Sequence, residues 1–339
     1  AEPSPVQQDA VPGILAGEDI LFAAATGSGK TLAYLLPTFA RLKAEECGRD
    51  AAGLAQLRRP GRPRAVVLVP TRELAAQVMA VAKDLSHHAR LSVRGAFGGS
   101  DGVGTQRRKL AQGGAYDVLV ATPGRFAKLW DLGDVHVSRA SVVVVDEVDT
   151  MLSQGFGADL EKILKATSVA SREPATVVAT TATLTKAVKR TFGPKAGRDA
   201  TWGFLPELRT IASEGLHRAP ATCRLDLVDV VGRDKMDALL EVLRSSNEKC
   251  LVFCNTVASC RAAAHSLEEA GFAHLSYHGE LNSREREASL KAFRAADDGA
   301  LVCTDLAARG LDVPDVKLVV MFDFPRNPID YLHRAGRTA

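Results

Sequence analysis

Residues 19–46 read DILFAAATGSGKTLAYLLPTFARLKAEE: an apolar β-rich run, a turn with Gly27 and Gly29, then a helix-forming segment. The same strand-then-helix order extends downstream through RAVVLVP, LSVRGAF, DVLVATP, SVVVVDEVD and TVVATTAT, with helical stretches such as RELAAQVMAVAKDL and FGADLEKILKAT between them. This alternation predicts a doubly wound, mostly parallel sheet. The near-continuous valine of VVLV and VVVV predicts strands buried on both faces. Six strands complete a first α/β domain over residues 1–200. The alternation lapses over about 195–222, where Gly197, Gly203, Pro206, Gly215 and Pro220 fall without a period, so 201–222 reads as a linker. It resumes with RLDLVDVV, KCLVFCNT, HLSYHG, GALVCTD and VKLVVMFD, so 223–339 reads as a second α/β domain, incomplete at its C-terminal end.

The 339 residues suit two domains, each large enough to bury a core. A net charge of only +3 means that a nucleic-acid partner has to be met by a local basic surface. With 5% aromatic residues, the chain favours gripping a sugar-phosphate backbone over stacking bases. The six cysteines follow neither metal-knuckle nor disulfide spacing and read as reduced core thiols of a soluble, intracellular chain. No apolar run reaches the roughly 18 residues of a membrane span. Arg58, Arg59, Arg62 and Arg64 read as a solvated insertion between a helix and a strand, with RNA contact as the alternative.

Ala24 to Thr31 spell AATGSGKT between a strand and a helix, the context a phosphate-binding loop requires. Thr26, Gly27, Ser28 and Gly29 curl the backbone so that N–H groups face phosphate oxygens. Lys30 adds a cation at the β and γ phosphates, and the Thr31 hydroxyl is a ligand for Mg²⁺. Such a loop needs acids at a neighbouring strand end. SVVVVDEVD supplies Asp146 to hold Mg²⁺ through water, Glu147 to polarise the attacking water, and Asp149 to brace the cluster against the TAT segment. Thr71, Arg72, Gly99, Thr122, Gly124 and Arg125 also follow strand ends. Their hydroxyl, N–H and guanidinium groups suit phosphate and 2′-OH oxygens without reading bases. Taken singly, Thr71 and Thr122 could each simply cap a helix.

In this order the motifs resemble those of DEAD-box RNA helicases over almost the whole chain. PSPVQ with Gln7 resembles the adenine-reading motif, DEVD the acidic motif, and PTRELA, Gly98-Gly99 and TPGR the RNA-binding motifs of the first domain. TAT, with Thr181 and Thr183, resembles the motif that couples hydrolysis to unwinding, together with Asp149 and His333. LVFCNT and TDLAARGLD resemble second-domain motifs, which places Thr304 and Asp305 toward RNA and Asp312 toward the ribose. HRAGR resembles the motif that puts Arg337 at the γ-phosphate. The resemblance implies two tandem RecA-like domains that use ATP and Mg²⁺ and bind RNA as a single strand or short duplex, with no membrane and as a monomer. Lys30, Asp146, Glu147 and Arg337 are then the catalytic set.

The alternative is an ATP-gated RNA clamp that unwinds little; a DNA helicase is disfavoured by Gln7, PTRELA and TPGR. Val148 replaces the usual alanine, Thr181 the usual serine and Ser283 a frequent glutamine. The family pattern also runs on to an arginine three residues past Arg337. The alanine- and arginine-rich loops and HRAPATCRLDLVDVVGRDK resemble plant or algal organelle-targeted members.

Overall fold

The structure, a computed structural model, describes residues 2–338 apart from 26, 100–101, 170–173, 194–201, 203, 206, 214–215, 217–222, 247, 306–312 and 314. The chain divides into two compact units, 1–216 and 217–339.

In the first unit seven parallel strands form one sheet: β1 (Ile20–Ala23), β2 (Ala65–Leu68), β3 (Val93–Ala96), β4 (Val118–Ala121), β5 (Val142–Val145), β6 (Thr176–Thr181) and β7 (Arg209–Ala212). Their order across the sheet is β3-β4-β2-β5-β6-β1-β7. Strand residues alternate between two cores. Val66, Leu68, Val143 and Val145 enter one, while Ala65, Val67, Val142 and Val144 enter the other. The unbroken valine runs follow from this, since with helices on both faces neither side of a central strand meets water.

Strand β7 lies inside the stretch that the sequence assigns to a linker. Residues 209–212 instead pair with β1, Ile20 opposite Arg209 and Ala23 opposite Ala212. Its RTIA sequence is exposed or half-buried because it is an edge strand with one neighbour, so it lacks the apolar run that marks a central strand.

The second unit has four parallel strands, β8 (Cys250–Cys254), β9 (His274–Tyr277), β10 (Ala300–Thr304) and β11 (Leu318–Val320), in the order β11-β8-β10-β9. Cys250 and Cys254 are buried on this sheet. The expected element RLDLVDVV is not a strand: residues 224–231 form no regular structure, and Leu227 and Val231 are 84% and 87% exposed. An alternating pattern gives a strand only where a neighbouring backbone takes its hydrogen bonds, and among the described residues none does. No helix among the described residues is long and apolar enough to cross a membrane.

The arginine-rich stretch also departs from its reading as a solvated insertion. Arg64 is 2% exposed. Its guanidinium meets Glu45 at 2.9 Å, Glu46 at 2.8 Å and Asp117 at 3.1 Å, and Arg58 joins the same Glu46 and Asp117 at 2.8 and 3.1 Å. These charges sit where the helix Lys30–Glu46 ends and β2 and β4 begin. Arg64 and the half-exposed Arg58 form an ionic joint in which two guanidiniums answer three carboxylates, while Arg59 is exposed.

Candidate functional site

In a parallel sheet, every loop that follows a strand emerges at the same edge. The strand order therefore sorts the expected site residues into two neighbouring groups. Loops after β1, β5 and β6 are adjacent and carry the phosphate loop, DEVD and TAT. Those after β2, β3 and β4 carry Thr71 and Arg72, Gly99, and Thr122 to Arg125.

The phosphate loop has the backbone its glycines permit. Gly27 and Gly29 have φ of 78° and 87°, the left-handed region that side chains disfavour. Gly29 is also crowded: a Cβ there would stand 2.6 Å from the Gln7 amide nitrogen. That amide donates to the Gly29 carbonyl at 3.2 Å, its oxygen accepts from the Ser4 N–H at 3.0 Å, and the Ser4 hydroxyl donates to the Ser28 carbonyl at 2.8 Å. Gln7, which the sequence assigns to adenine, thus also braces the loop. Lys30, opening the helix Lys30–Glu46, reaches over the loop to the carbonyls of Ala24 and Ala25, each at 2.8 Å. Thr26 lies outside the described residues.

Asp146, Glu147 and Asp149 are all buried where β5 ends. One Asp146 oxygen accepts from the Tyr34 hydroxyl at 2.9 Å; the other accepts from the Thr180 hydroxyl and, at 3.0 Å, from the Glu147 N–H. Tyr34 stands beside the Thr31 hydroxyl, so it ties the phosphate loop's helix to the acidic strand end. Burial and then the Asp146 charge push its phenol well above the ordinary range, so it stays a donor. Glu147 has φ of 52°, a conformation that costs a non-glycine residue about 1–2 kcal/mol, and strain of this kind gathers at functional positions. Asp149 accepts from the Thr183 N–H at 3.0 Å and the Thr183 hydroxyl at 2.5 Å, while the Thr181 hydroxyl donates to the Thr183 carbonyl at 2.8 Å. The expected brace between Asp149 and TAT is present in the first unit.

In the other group, Thr71 caps its helix by accepting from Leu74 N–H at 3.2 Å, and Arg72 pairs with Glu73. Thr122 makes no such cap, so its hydroxyl is not consumed in holding the helix Pro123–Asp131. Arg125 donates to the buried Gln106 at 2.5 Å, and Gln106 in turn donates to the carbonyls of Gly95 and Phe97 at 3.3 and 3.2 Å. The Gln106 amide thereby locks the loop after β3 to the arginine after β4. Gly124 lies beside Phe156 and Asp159, and Gly99 is exposed.

The second unit has its own cluster at the strand ends. Arg334, 1% exposed, forks onto both oxygens of Asp305 at 2.6 Å each, and donates to Asn255 Oδ1 at 2.6 Å and the Asp323 carbonyl at 2.5 Å. The sequence places Asp305 toward RNA; in the structure its carboxylate is held by Arg334, because a buried guanidinium needs a full set of acceptors. Thr304 and His333 are buried beside it, and Arg337 follows on the turn after the helix Pro328–Ala335. Asp312 lies outside the described residues. Tyr34, Thr180, Gln106 and Arg334 were missed by the sequence reading. Tyr34 carries a signal there, lying one helical turn past Lys30 and Thr31, and Arg334 stands inside HRAGR.

The DEAD/DEAH box helicase family profile matches residues 4–191, and the helicase conserved C-terminal domain profile matches 234–339. DEAD-box ATP-dependent RNA helicase 39 of Arabidopsis thaliana is 41% identical over 348 residues, covering 99% of this chain and 53% of that protein. The probable ATP-dependent RNA helicase DDX28 of Mus musculus is 34% identical over 358 residues, covering 99% and 63%. The chain thus spans between about half and two thirds of these relatives. The solved structure of the DEAD-box helicase Mss116 bound to ssRNA and UDP-BeF aligns with a TM-score of 0.81 at 26% identity, covering 99% of this chain and 68% of that one. With the phosphate loop, the acidic strand end and both profiles in agreement, the chain belongs to the DEAD/DEAH box helicase family, and its two units are RecA-like.

Proposed function

We propose that the chain is an RNA-stimulated ATPase that couples hydrolysis to local, largely sequence-independent separation of short RNA duplexes. One observation carries this reading: the phosphate loop, the Asp146–Glu147 pair and the Thr122–Arg125 turn share one edge of one sheet. Related proteins named ATP-dependent RNA helicases support it. The intact set of Lys30, Asp146 and Glu147 favours the enzymatic reading over a clamp that only holds RNA.

Lys30 would bind the terminal phosphates and Glu147 would take the proton of the attacking water. The site fits Mg²⁺: Asp146 is a buried carboxylate fixed from two sides, and with the Thr31 hydroxyl it offers the hard oxygens this cation takes. When bound, Mg²⁺ would neutralise charge on the phosphate oxygens. Tyr34 and Thr180 hold Asp146 in place, so the carboxylate does not have to reorganise during the reaction. Lys30 is the cation of the first unit proposed to meet the charge that develops. Thr122, Arg125 and the exposed backbone of Gly99 would hold RNA by phosphate and sugar.

ATP turnover measured alone, with single-stranded RNA and with DNA of the same sequence tests the reading, together with displacement of a short RNA duplex. RNA alone is expected to stimulate turnover, and displacement to require ATP. Equal stimulation by DNA, or turnover without displacement, would count against it.

Gln7 provides a sharper check. Gln7→Ala removes both amide bonds around the loop and leaves the catalytic groups untouched. The KM for ATP is expected to rise about tenfold, the value of a hydrogen bond or two, with kcat little changed. A fall in kcat at constant KM would show that Gln7 acts on the chemistry instead.

A further inference from the structure

The opposite edge of the first sheet holds a second concavity, a cavity of about 280 Å³. Arg62 precedes β2, Tyr116 precedes β4, and Asp134 and His136 precede β5, while Leu110 and Ala111 come from the helix Val103–Gln112. These are the starts of the strands whose ends carry the proposed RNA contacts and Glu147. Four-residue strands separate the two edges by about 13 Å.

The walls are built, not draped. Gly61, with φ of 67°, approaches the 134 backbone so closely that a Cβ would stand 2.6 Å from the Asp134 carbonyl oxygen, and the His136 N–H donates to the Gly61 carbonyl at 2.8 Å. Arg107 forks onto Asp134 at 2.5 and 3.2 Å, and Arg62 donates to the Ser138 hydroxyl. With Asp134 answered by Arg107, the lining has one cation in excess when His136 is neutral.

Tyr116 marks what the cavity is for. It is 1% exposed, yet its hydroxyl has no hydrogen-bond partner among the described residues. Leaving such a group unsatisfied is destabilising, and a phenylalanine would fill the same space without that cost. Burial, with a smaller contribution from Asp134 and against the pull of Arg94, raises the phenol to about 12, so it remains a donor at physiological pH.

We propose that this cavity binds a small organic anion, whose carboxylate or phosphate oxygens accept from the Tyr116 hydroxyl and the Arg62 guanidinium while an apolar body rests on Leu110 and Ala111. The site is independent of the phosphate loop and of the function proposed above.

Benzoate and phenyl phosphate serve as probes for the two possible heads, with benzyl alcohol as the neutral control, titrated calorimetrically and by ligand-observed NMR. One-site, saturable binding of at least one anionic probe is expected, unaffected by saturating ATP and absent for benzyl alcohol. The tighter of the two identifies the head group. Tyr116→Phe and Arg62→Gln should each weaken that binding about tenfold, and Tyr116→Phe should keep or raise the melting temperature because the lost hydroxyl has no partner among the described residues. The proposal is overturned if neither anion saturates, if benzyl alcohol binds equally, if ATP competes, or if Tyr116→Phe binds with unchanged affinity.

Discussion

Glu147→Gln is expected to lower ATP turnover by about 10²–10⁴-fold, the range a positioned general base contributes, while ATP and RNA binding are retained. The amide keeps the size of the carboxylate and most of its hydrogen-bonding capacity but cannot accept the proton of the attacking water. The strained backbone is not altered, since glutamine and glutamate bear φ of 52° at equal cost. Asp146 keeps its bonds from Tyr34, Thr180 and the residue 147 N–H, none of which uses the Glu147 side chain. Single-turnover hydrolysis beside equilibrium nucleotide binding separates the two effects. An equal loss of both would make Glu147 a structural residue.

The second large effect concerns stability. Arg64→Met removes the centre of the ionic joint, leaving the fully buried Asp117 and the nearly buried Glu46 with fewer cations. Breaking a buried pair from one side costs about 3–5 kcal/mol, which for a unit of this size lowers its melting temperature by about 10 °C. The same joint shapes the acid limb of stability. Burial alone would raise the Glu46 carboxyl; the bonds from Lys43, Arg64 and Arg58 outweigh it and hold the group at about 2, below its ordinary 4.5. A depressed carboxyl stabilises the fold above pH 4.5, and that contribution is lost as pH falls from 4.5 toward 2. Calorimetry across that window should show a steep loss in the native chain and a shallower one in Arg64→Met. An unchanged melting temperature would show that Arg58 alone suffices.

Both predictions rest on residues that the sequence disclosed unequally. Lys30, Asp146 and Glu147 were legible because each sits at a fixed offset from a strand end, and a parallel sheet brings all strand ends to one edge. The brace of Asp149 by TAT was legible for the same reason. Tyr34, Thr180, Gln106 and Arg334 were not, because each acts on a partner 19 to 112 positions away, and no local period encodes such a pairing. Arg64 was misread because a run of arginines looks solvated until the carboxylates of Glu45, Glu46 and Asp117 are brought around it. Strand β7 and the stretch 224–231 failed in opposite directions. RTIA lacks the alternation yet finds β1 as a neighbour, whereas RLDLVDVV has apolar residues and finds none among those described.

The grip of Ser4 and Gln7 on the phosphate loop has a thermodynamic side. Both residues lie at the start of the helix Pro5–Ala16, and their bonds to residues 28 and 29 exist only while that turn is formed. Whatever binds the loop in its braced shape must therefore oppose fraying of the helix, and by reciprocity whatever frays the helix must weaken the ligand by the same factor. The upstream helix is in this sense a tuning peg for nucleotide affinity. Its first turn can be tightened or slackened without touching any group that meets a phosphate.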